Sequence, residues 1–407
     1  MRAAVLSAAV AALAFGAFAE DLASLQSRID AAAAAGGGKV TVGPGEHFMA
    51  GPVRLRSNVE LNLDEKATLV FSDNPRDYMP PVLSTWEGVE CKMLSPLVYA
   101  FGCTNVAITG KGTFAPRMKF WRGWFGRGPG HRAATRRLYD WCSLQDVPPE
   151  ARDVTALPES NVRPHLMQFN RCKNITLDGF RIRESPFWTI HLFLSEDVQV
   201  RNLDVRARGH NNDGIDIEMT KNVLVEKCRF DQGDDAIVIK SGRNQDAWRL
   251  GRPSENIEIR DCVVENGHVL LGIGSEMAGG VKNVWMHDCE LTANCINLFY
   301  VKTNERRGGV IENIRMENVK AKEVTGAVVG VETDVLYQWK DFPTREVRVT
   351  DIHDLSVKNV VCDKAKWLVR LRGDARQPIR GVRVENVKCG EVARENVIEN
   401  AIDVEIK

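Results

Sequence analysis

Apolar and polar residues alternate along this chain in short bursts, and the bursts recur. The recurring unit reads Asn or Asp, apolar, any, apolar, two of any kind, apolar, any, apolar. It starts at Asn174 (NITLDGFRI), Asp197 (DVQVRNLDV), Asn222 (NVLVEKCRF), Asn256 (NIEIRDCVV), Asn283 (NVWMHDCEL), Asn313 (NIRMENVKA) and Asp354 (DLSVKNVVC). A weaker copy starts at Gly381 (GVRVENVKC) and a degenerate one at Asn105 (NVAITGKGT). From Asn174 to Gly381 the intervals are 23, 25, 34, 27, 30, 41 and 27 residues. Each copy predicts two short strands of period 2 joined by a two-residue corner. No copy carries the helical stretch a βαβ crossover needs.

A short-strand unit at this spacing predicts an all-β, single-domain, right-handed parallel β-helix, with apolar side chains inside and extra residues in corner loops. The Leu-x-x-Leu-x-Leu signature of leucine-rich repeats is missing, and propeller blades need longer repeats. Register then predicts columns. The leading Asn residues stack from coil to coil, bonding through their amides. Cys228, Cys262 and Cys289 at the seventh position, and Cys362 and Cys389 at the ninth, point inward as small apolar fillers. Coils about 4.8 Å apart bring such thiols close, but parallel Cβ vectors oppose bridging. Cys91 and Cys142, outside the pattern, are the better candidates for a disulfide.

The ends of a solenoid need covering. Leu22, Leu25 and Ile29 form one apolar face ahead of an alanine run and Gly36-Gly37-Gly38, predicting an N-terminal capping helix. Residues 1–19 read as a signal peptide: Arg2, an apolar run over residues 3–18, and the small-x-small site Ala17-Phe18-Ala19. An exported protein, periplasmic or secreted, starting near Glu20 is expected. The β-helix domain then covers residues 20–407. Within residues 114–163 the repeat gives way to a long loop with Arg117, Arg122, Arg127, Arg132, Arg136, Arg137, Arg152 and Arg163 interleaved with Trp121, Trp124 and Trp141. Such length favours a role beyond connection, such as closing one end of a groove, over a solvated loop packed by its tryptophans.

Composition changes this picture little. The chain has 407 residues, 54 basic and 54 acidic side chains, and is 44% apolar. That balance gives no global reason to bind nucleic acid or anionic lipid, and the apolar content excludes general disorder. No run after residue 19 reaches the length of a membrane span.

The candidate chemistry lies between Asn211 and Lys302. Aligning Asp213-Gly214-Ile215-Asp216-Ile217 with Asp235-Ala236-Ile237-Val238-Ile239 puts Asp213 and Asp235 at equivalent points of adjacent coils. Asn266-Gly267-His268 aligns with Gln232-Gly233-Asp234, so His268 stacks beside Asp234, and Lys302 falls one coil further. Several ionisable groups therefore share one wall within roughly 10–15 Å. Carboxylates so close cannot all ionise, and one should keep its proton near neutral pH. A protonated acid beside carboxylates that activate water is the machinery of glycoside hydrolysis, inverting if acid and base leave room for that water. Taken singly, these residues have plainer readings as turn residues or surface charges, and an acidic cluster can bind Ca²⁺. Their common register favours catalysis. A non-catalytic polysaccharide-binding wall has no use for that register. A lyase needs a base and commonly Ca²⁺ but no protonated acid.

The ordered set Asn211-Asn212-Asp213, Gly233-Asp234-Asp235, Gly267-His268-Val269 and Tyr300-Val301-Lys302 resembles the four motifs of glycoside hydrolase family 28, the polygalacturonases of pectin degradation. The stretches SPFWTIH (185–191), IVIKSGR (237–243), IGSEMAGGV (273–281) and KTNERRGG (302–309) look like exo-acting bacterial members. The resemblance implies Asp234 as general acid, Asp213 and Asp235 as the pair that positions and deprotonates water, and His268 as the group controlling the acid. It implies Lys302 on the substrate carboxylate, with Asn211 and Arg243 as subsite residues. Trp188 and His191 would support the site or form a subsite wall. It also implies a pectic polysaccharide or oligosaccharide as substrate, no cofactor or metal, and a monomer.

Two positions depart from the family pattern. Tyr300 replaces the usual Arg and can stack on a sugar face; an Arg from residues 114–163, or Arg306 or Arg307, would then supply the missing cation. Val269 replaces the second Gly of the His motif, narrowing the cleft. Both keep rhamnogalacturonan and xylogalacturonan open as substrates.

Overall fold

The computed structural model describes residues 20–343 and 346–407, with the side chains of residues 338 and 339 left undescribed. The expected signal peptide lies outside the described residues. The chain folds as a right-handed parallel β-helix in which 27 strands form one continuous sheet.

The repeat sets the register. Ile175, Val198, Val223, Ile257, Val284, Ile314, Leu355 and Val382 follow one another across successive parallel pairings, one per coil. Each is at most 3% exposed, so the first apolar position of every copy lies in the core. The leading residue has a conformational role beyond its amide. Asn105, Asn174, Asp197, Asn222, Asn256, Asn283, Asn313, Asp354 and Gly381 all have φ between 54° and 64°. That left-handed corner suits Asn, Asp and Gly, so Gly381 serves as well as Asn there. The amides also bond as expected: Asn256 Nδ2 donates to Asn222 Oδ1 at 3.2 Å, Asn283 to Asn256 at 3.1 Å, and Asn313 to Asn283 at 2.8 Å. A second ladder at the two-residue corner, unforeseen in the repeat, runs from Asp288 through Asn318 and Asn359 to Asn386.

The coils begin earlier than the repeat suggested. Gly38–Val42 pairs with Val59–Leu63, which pairs with Thr104–Gly110, and Asn105 Nδ2 donates to Asn58 Oδ1 at 2.8 Å. Helix α1 (Leu22–Ala34) precedes them, with Asp21 accepting from the Ser24 N–H and Leu25 and Ile29 wholly buried in the same apolar core.

The inward cysteines behave as fillers: Cys228, Cys262, Cys289 and Cys362 are at most 3% exposed, and Cys389 is half-buried. All ten cysteines are free, so the expected Cys91–Cys142 bridge does not form. Both thiols lie instead in a satellite apolar cluster with Trp86, Leu138, Phe187 and Trp188. Burial there pushes each thiol up, Cys142 to about 12, and removes the thiolate that disulfide exchange requires.

That cluster sits beneath two excursions from the coils. One is an antiparallel hairpin, Val82–Trp86 with Val89–Met93, turning at Glu87-Gly88, which the repeat did not reveal. The other is the Arg/Trp-rich segment. Its first residues stay in the solenoid, because Thr113–Pro116 pairs with Ala67–Phe71. Helices α2 (Lys119–Arg122) and α3 (Pro129–Tyr139) follow. Trp121 is buried in the main core, whereas Trp124 and Trp141 are only partly covered.

Candidate active site

The acids occupy the turn that follows the second strand of a coil. Arg229–Gln232 ends, Gly233-Asp234-Asp235 turns, and Ile237–Lys240 begins. Gly233 is required by packing, since a Cβ there would lie 2.4 Å from the Gly209 carbonyl of the preceding coil. Ile215 pairs with Ile237, so Asp213 and Asp235 are in register as expected. The Gly214 N–H donates to the Asp235 carbonyl at 2.9 Å, and the His268 N–H to the Asp234 carbonyl at 2.8 Å. Three consecutive coils thereby deliver Asp213, then Asp234 and Asp235, then His268.

His268 Nδ1 lies 2.9 Å from Asp234 Oδ1, and the two side chains are 48% and 20% exposed. They form the accessible pair of the site. Lys302 Nζ donates to Asp235 Oδ2 at 2.6 Å. Asp213 and Asp235 are 2% and 1% exposed, and the Oδ1 atom of each accepts no hydrogen bond from the protein.

Behind this wall lies a charge cluster the repeat did not predict. Lys240, wholly enclosed, is 3.1 Å from Glu276, 3.6 Å from Asp216 and 3.7 Å from Asp213, and it covers the Trp188 ring at 4.5 Å. Register places it: Glu218 pairs with Lys240 on the next coil. Glu276 also bonds Arg243, whose guanidinium lies 3.6 Å from Glu87 at the hairpin tip. Burial alone would discharge Lys240, but Glu276, Asp213 and Asp216 outweigh it and hold the ammonium well above its ordinary range.

The same physics divides the acids. Burial, then the charge of Asp234, pushes Asp213 well above the usual carboxylate range; burial and Asp213 do the same to Asp216. Burial also acts against Asp234, but the hydrogen bond from His268 and the charges of His268, Lys302 and Lys240 prevail and hold it down to about 2. His268 is raised correspondingly by its bond to Asp234. Burial therefore favours the protonated form at Asp213 and Asp216, whereas the cations around Asp234 favour its ionised form. The proton of the Asp234–His268 pair rests on the imidazole.

The cleft above these groups has a volume of about 360 Å³ and is lined by Asp213, Asp234, Asp235, His268, Lys302, Tyr300, Asn211, Trp188 and Arg243, among others. Such a volume is at the low end of the range for small-molecule sites. The structure separates several alternatives. Of its two readings, His191 takes the supporting one: it is wholly buried, with Nε2 2.8 Å from Glu218 and Nδ1 3.0 Å from Gln168, behind Trp188. Arg243 reaches the cleft only as a buried floor group, 2% exposed and held by Glu276. Arg306 and Arg307 do not line the cleft: Arg306 donates to the Phe342 carbonyl, and Arg307 to Ser275 and Asn244. Arg163, also from the inserted segment, is fully buried and donates to Asn211 Oδ1 at 2.9 Å, fixing that side chain. Tyr300 is pinned by its hydroxyl to Glu332 at 2.7 Å.

A parallel β-helix with acids and an imidazole gathered in one cleft defines a polysaccharide-processing hydrolase. The chain belongs to glycoside hydrolase family 28: residues 152–404 match Glycosyl hydrolases family 28. The exopolygalacturonase of Thermotoga maritima superposes with a TM-score of 0.82 at 36% identity, covering 89% of this chain and 82% of that one. The endo-polygalacturonase of Pectobacterium carotovorum is 27% identical over 356 residues, 86% of this chain and 79% of the relative. A probable polygalacturonase of Vitis vinifera is 26% identical over 234 residues, 55% of this chain but only 46% of the relative. The protein is thus a glycoside hydrolase of the polygalacturonase type.

Proposed function

We propose that the protein is an exported, inverting, exo-acting hydrolase of α-linked galacturonosyl bonds in pectin. The observation that carries this reading is the accessible Asp234–His268 pair, set beside two buried carboxylates with unpartnered oxygens. Asp234 faces the cleft and gives the leaving oxygen its proton, drawn across the 2.9 Å contact from His268 Nδ1. The imidazole is left neutral, and bulk solvent reprotonates it through its exposed edge. Asp213 and Asp235 orient the attacking water, and an ionised carboxylate of that pair accepts the water's proton. In this reading the water approaches from the ring face opposite Asp234, and the anomeric centre inverts. Lys302 binds a substrate carboxylate, Asn211 a hydroxyl, and Tyr300 and Trp188 form walls of the subsites.

Exo action is supported by the likeness to the exopolygalacturonase of Thermotoga maritima and by the inserted segment, whose Arg127 lines the cleft and whose α3 is anchored to residues 342–343. Tyr139 of α3 donates to the Pro343 carbonyl at 2.6 Å and packs on Phe342 at 5.3 Å. Domain limits at residues 20–407, a signal peptide before them and a monomeric state complete the proposal; no helix among the described residues is long and apolar enough to cross a membrane.

Proton NMR of the purified protein acting on short oligogalacturonides tests this directly. β-Configured monomer released first is the expected result. An early ladder of intermediate oligomers would instead mean endo cleavage. Turnover restricted to rhamnogalacturonan or xylogalacturonan would change the substrate and keep the mechanism.

A further inference from the structure

The cations around the cleft differ in how they are employed. Lys302 is engaged by Asp235, Lys240 by Glu276 with Asp213 and Asp216 close by, Arg243 by Glu276, and His268 by Asp234. Each of these cations already has a carboxylate partner within the site, Lys302 included, which would share its charge between Asp235 and a substrate carboxylate. Arg127 is different. It sits between α2 and α3, lines the cleft, is exposed, and has no carboxylate partner among the described residues. Its guanidinium stands 5.9 Å from the ring centre of Tyr337, which opens a third excursion, the short helical turn Tyr337–Asp341 after the strand Val310–Glu332, and is 49% exposed. Tyr337 lines the same cleft as Lys302, Asp235 and His210, and Arg127 helps push His210 down to about 4, after burial and Arg163. Arg127 and Tyr337 therefore meet over the cleft, between its Lys302 side and its His210 side.

We infer that Arg127 binds the carboxylate of a chain-terminal uronosyl residue, with the Tyr337 ring holding the guanidinium in place. A guanidinium offers a planar fork that matches a carboxylate with two parallel hydrogen bonds. An aromatic face beneath it orients that fork at little entropic cost. Packing of α3 on the Tyr337 segment fixes the geometry: Arg136 lies 4.8 Å from the Phe342 ring, so the two share one contact surface. The end of the cleft is thus built for a sugar acid, and its neutral counterpart leaves Arg127 unmatched. This assignment rests on the hydrolase reading for its substrate class but concerns binding alone.

The test is calorimetric titration of the full chain carrying Asp234→Asn with trigalacturonate and with its methyl ester. The acid should bind more tightly than the ester, and Arg127→Ala should shrink that preference by roughly tenfold, the size of one charge-assisted contact. Arg127→Lys, which keeps the charge but not the fork, should retain part of it. A preference unchanged within about twofold in Arg127→Ala, or no preference in the parent chain, overturns the assignment. Turnover by the wild-type chain is scored separately. Preserved acid preference without any turnover of oligogalacturonides would sink the galacturonosyl-bond reading and leave Arg127 in its role.

Discussion

Two faces of the same coils carry columns of side chains in one register, and they do opposite things. On the corner face, Asn222, Asn256, Asn283 and Asn313 repeat a single residue, and each amide satisfies the next. On the cleft face, the register stacks unlike residues, and the result is buried carboxyl oxygens without partners and a lysine enclosed by acids. Repetition gives a column that is satisfied and exposed. Broken repetition gives one that is electrostatically frustrated, kept in place by the repeating coils around it. Stability and reactivity are thereby assigned to different sides of one solenoid.

The largest effect should come from the reactive side. Asp234→Asn should lower kcat/KM on oligogalacturonides by roughly 10²–10⁴-fold, the usual worth of general acid catalysis, with the unfolding midpoint nearly unchanged. Undiminished turnover would remove Asp234 from the mechanism. Next comes the enclosed lysine. Lys240→Met leaves Glu276, Asp213 and Asp216 without their common cation and should cost about 3–5 kcal/mol in chemical denaturation. A smaller change would mean that the acids take up protons and discharge themselves.

The third prediction concerns pH. His268 is raised above its ordinary 6.5, and the productive pair needs that proton, so kcat/KM should fall as pH rises through the raised value. In His268→Gln the proton must sit on Asp234 alone, and the basic limb should move to lower pH. An unmoved limb would assign the titration to another group. The stability sign agrees: a raised histidine stabilises the fold below its unfolded value, and this contribution is lost as pH climbs through the folded one. The smallest effect belongs to the corner face. Asn256→Ala should cost about 1–2 kcal/mol, because alanine pays for φ near 58°, whereas Asn256→Gly keeps that conformation and should lose about 1 kcal/mol or less. Equal losses would show that the amide ladder, rather than the backbone, sets the cost.

The same contrast explains what could be read in advance. The coils from Asn174 onward, the inward cysteines and the Asp213, Asp234, Asp235, His268 grouping all follow from register, which a repeat displays openly. Lys240 was legible in principle, since it sits at a fixed offset after Asp235. Its place at a strand end, where outward lysines are ordinary, concealed it. Glu87 and Arg127 were not legible as cleft residues. They ride on excursions whose folding depends on contacts such as Trp86 on Phe187 at 4.3 Å, far apart in sequence and outside any period. For His191 the sequence left support and wall both open for a related reason: its strand is buried on both faces, so alternation gives no sign of which side meets solvent.

The column of inward cysteines has a practical consequence. Nine of the ten thiols are buried and Cys389 is half-buried, so a gently applied maleimide would find almost nothing native to modify. A cysteine introduced at Tyr337 would then be addressed nearly alone, and a fluorophore attached there would report directly on what enters or leaves the cleft.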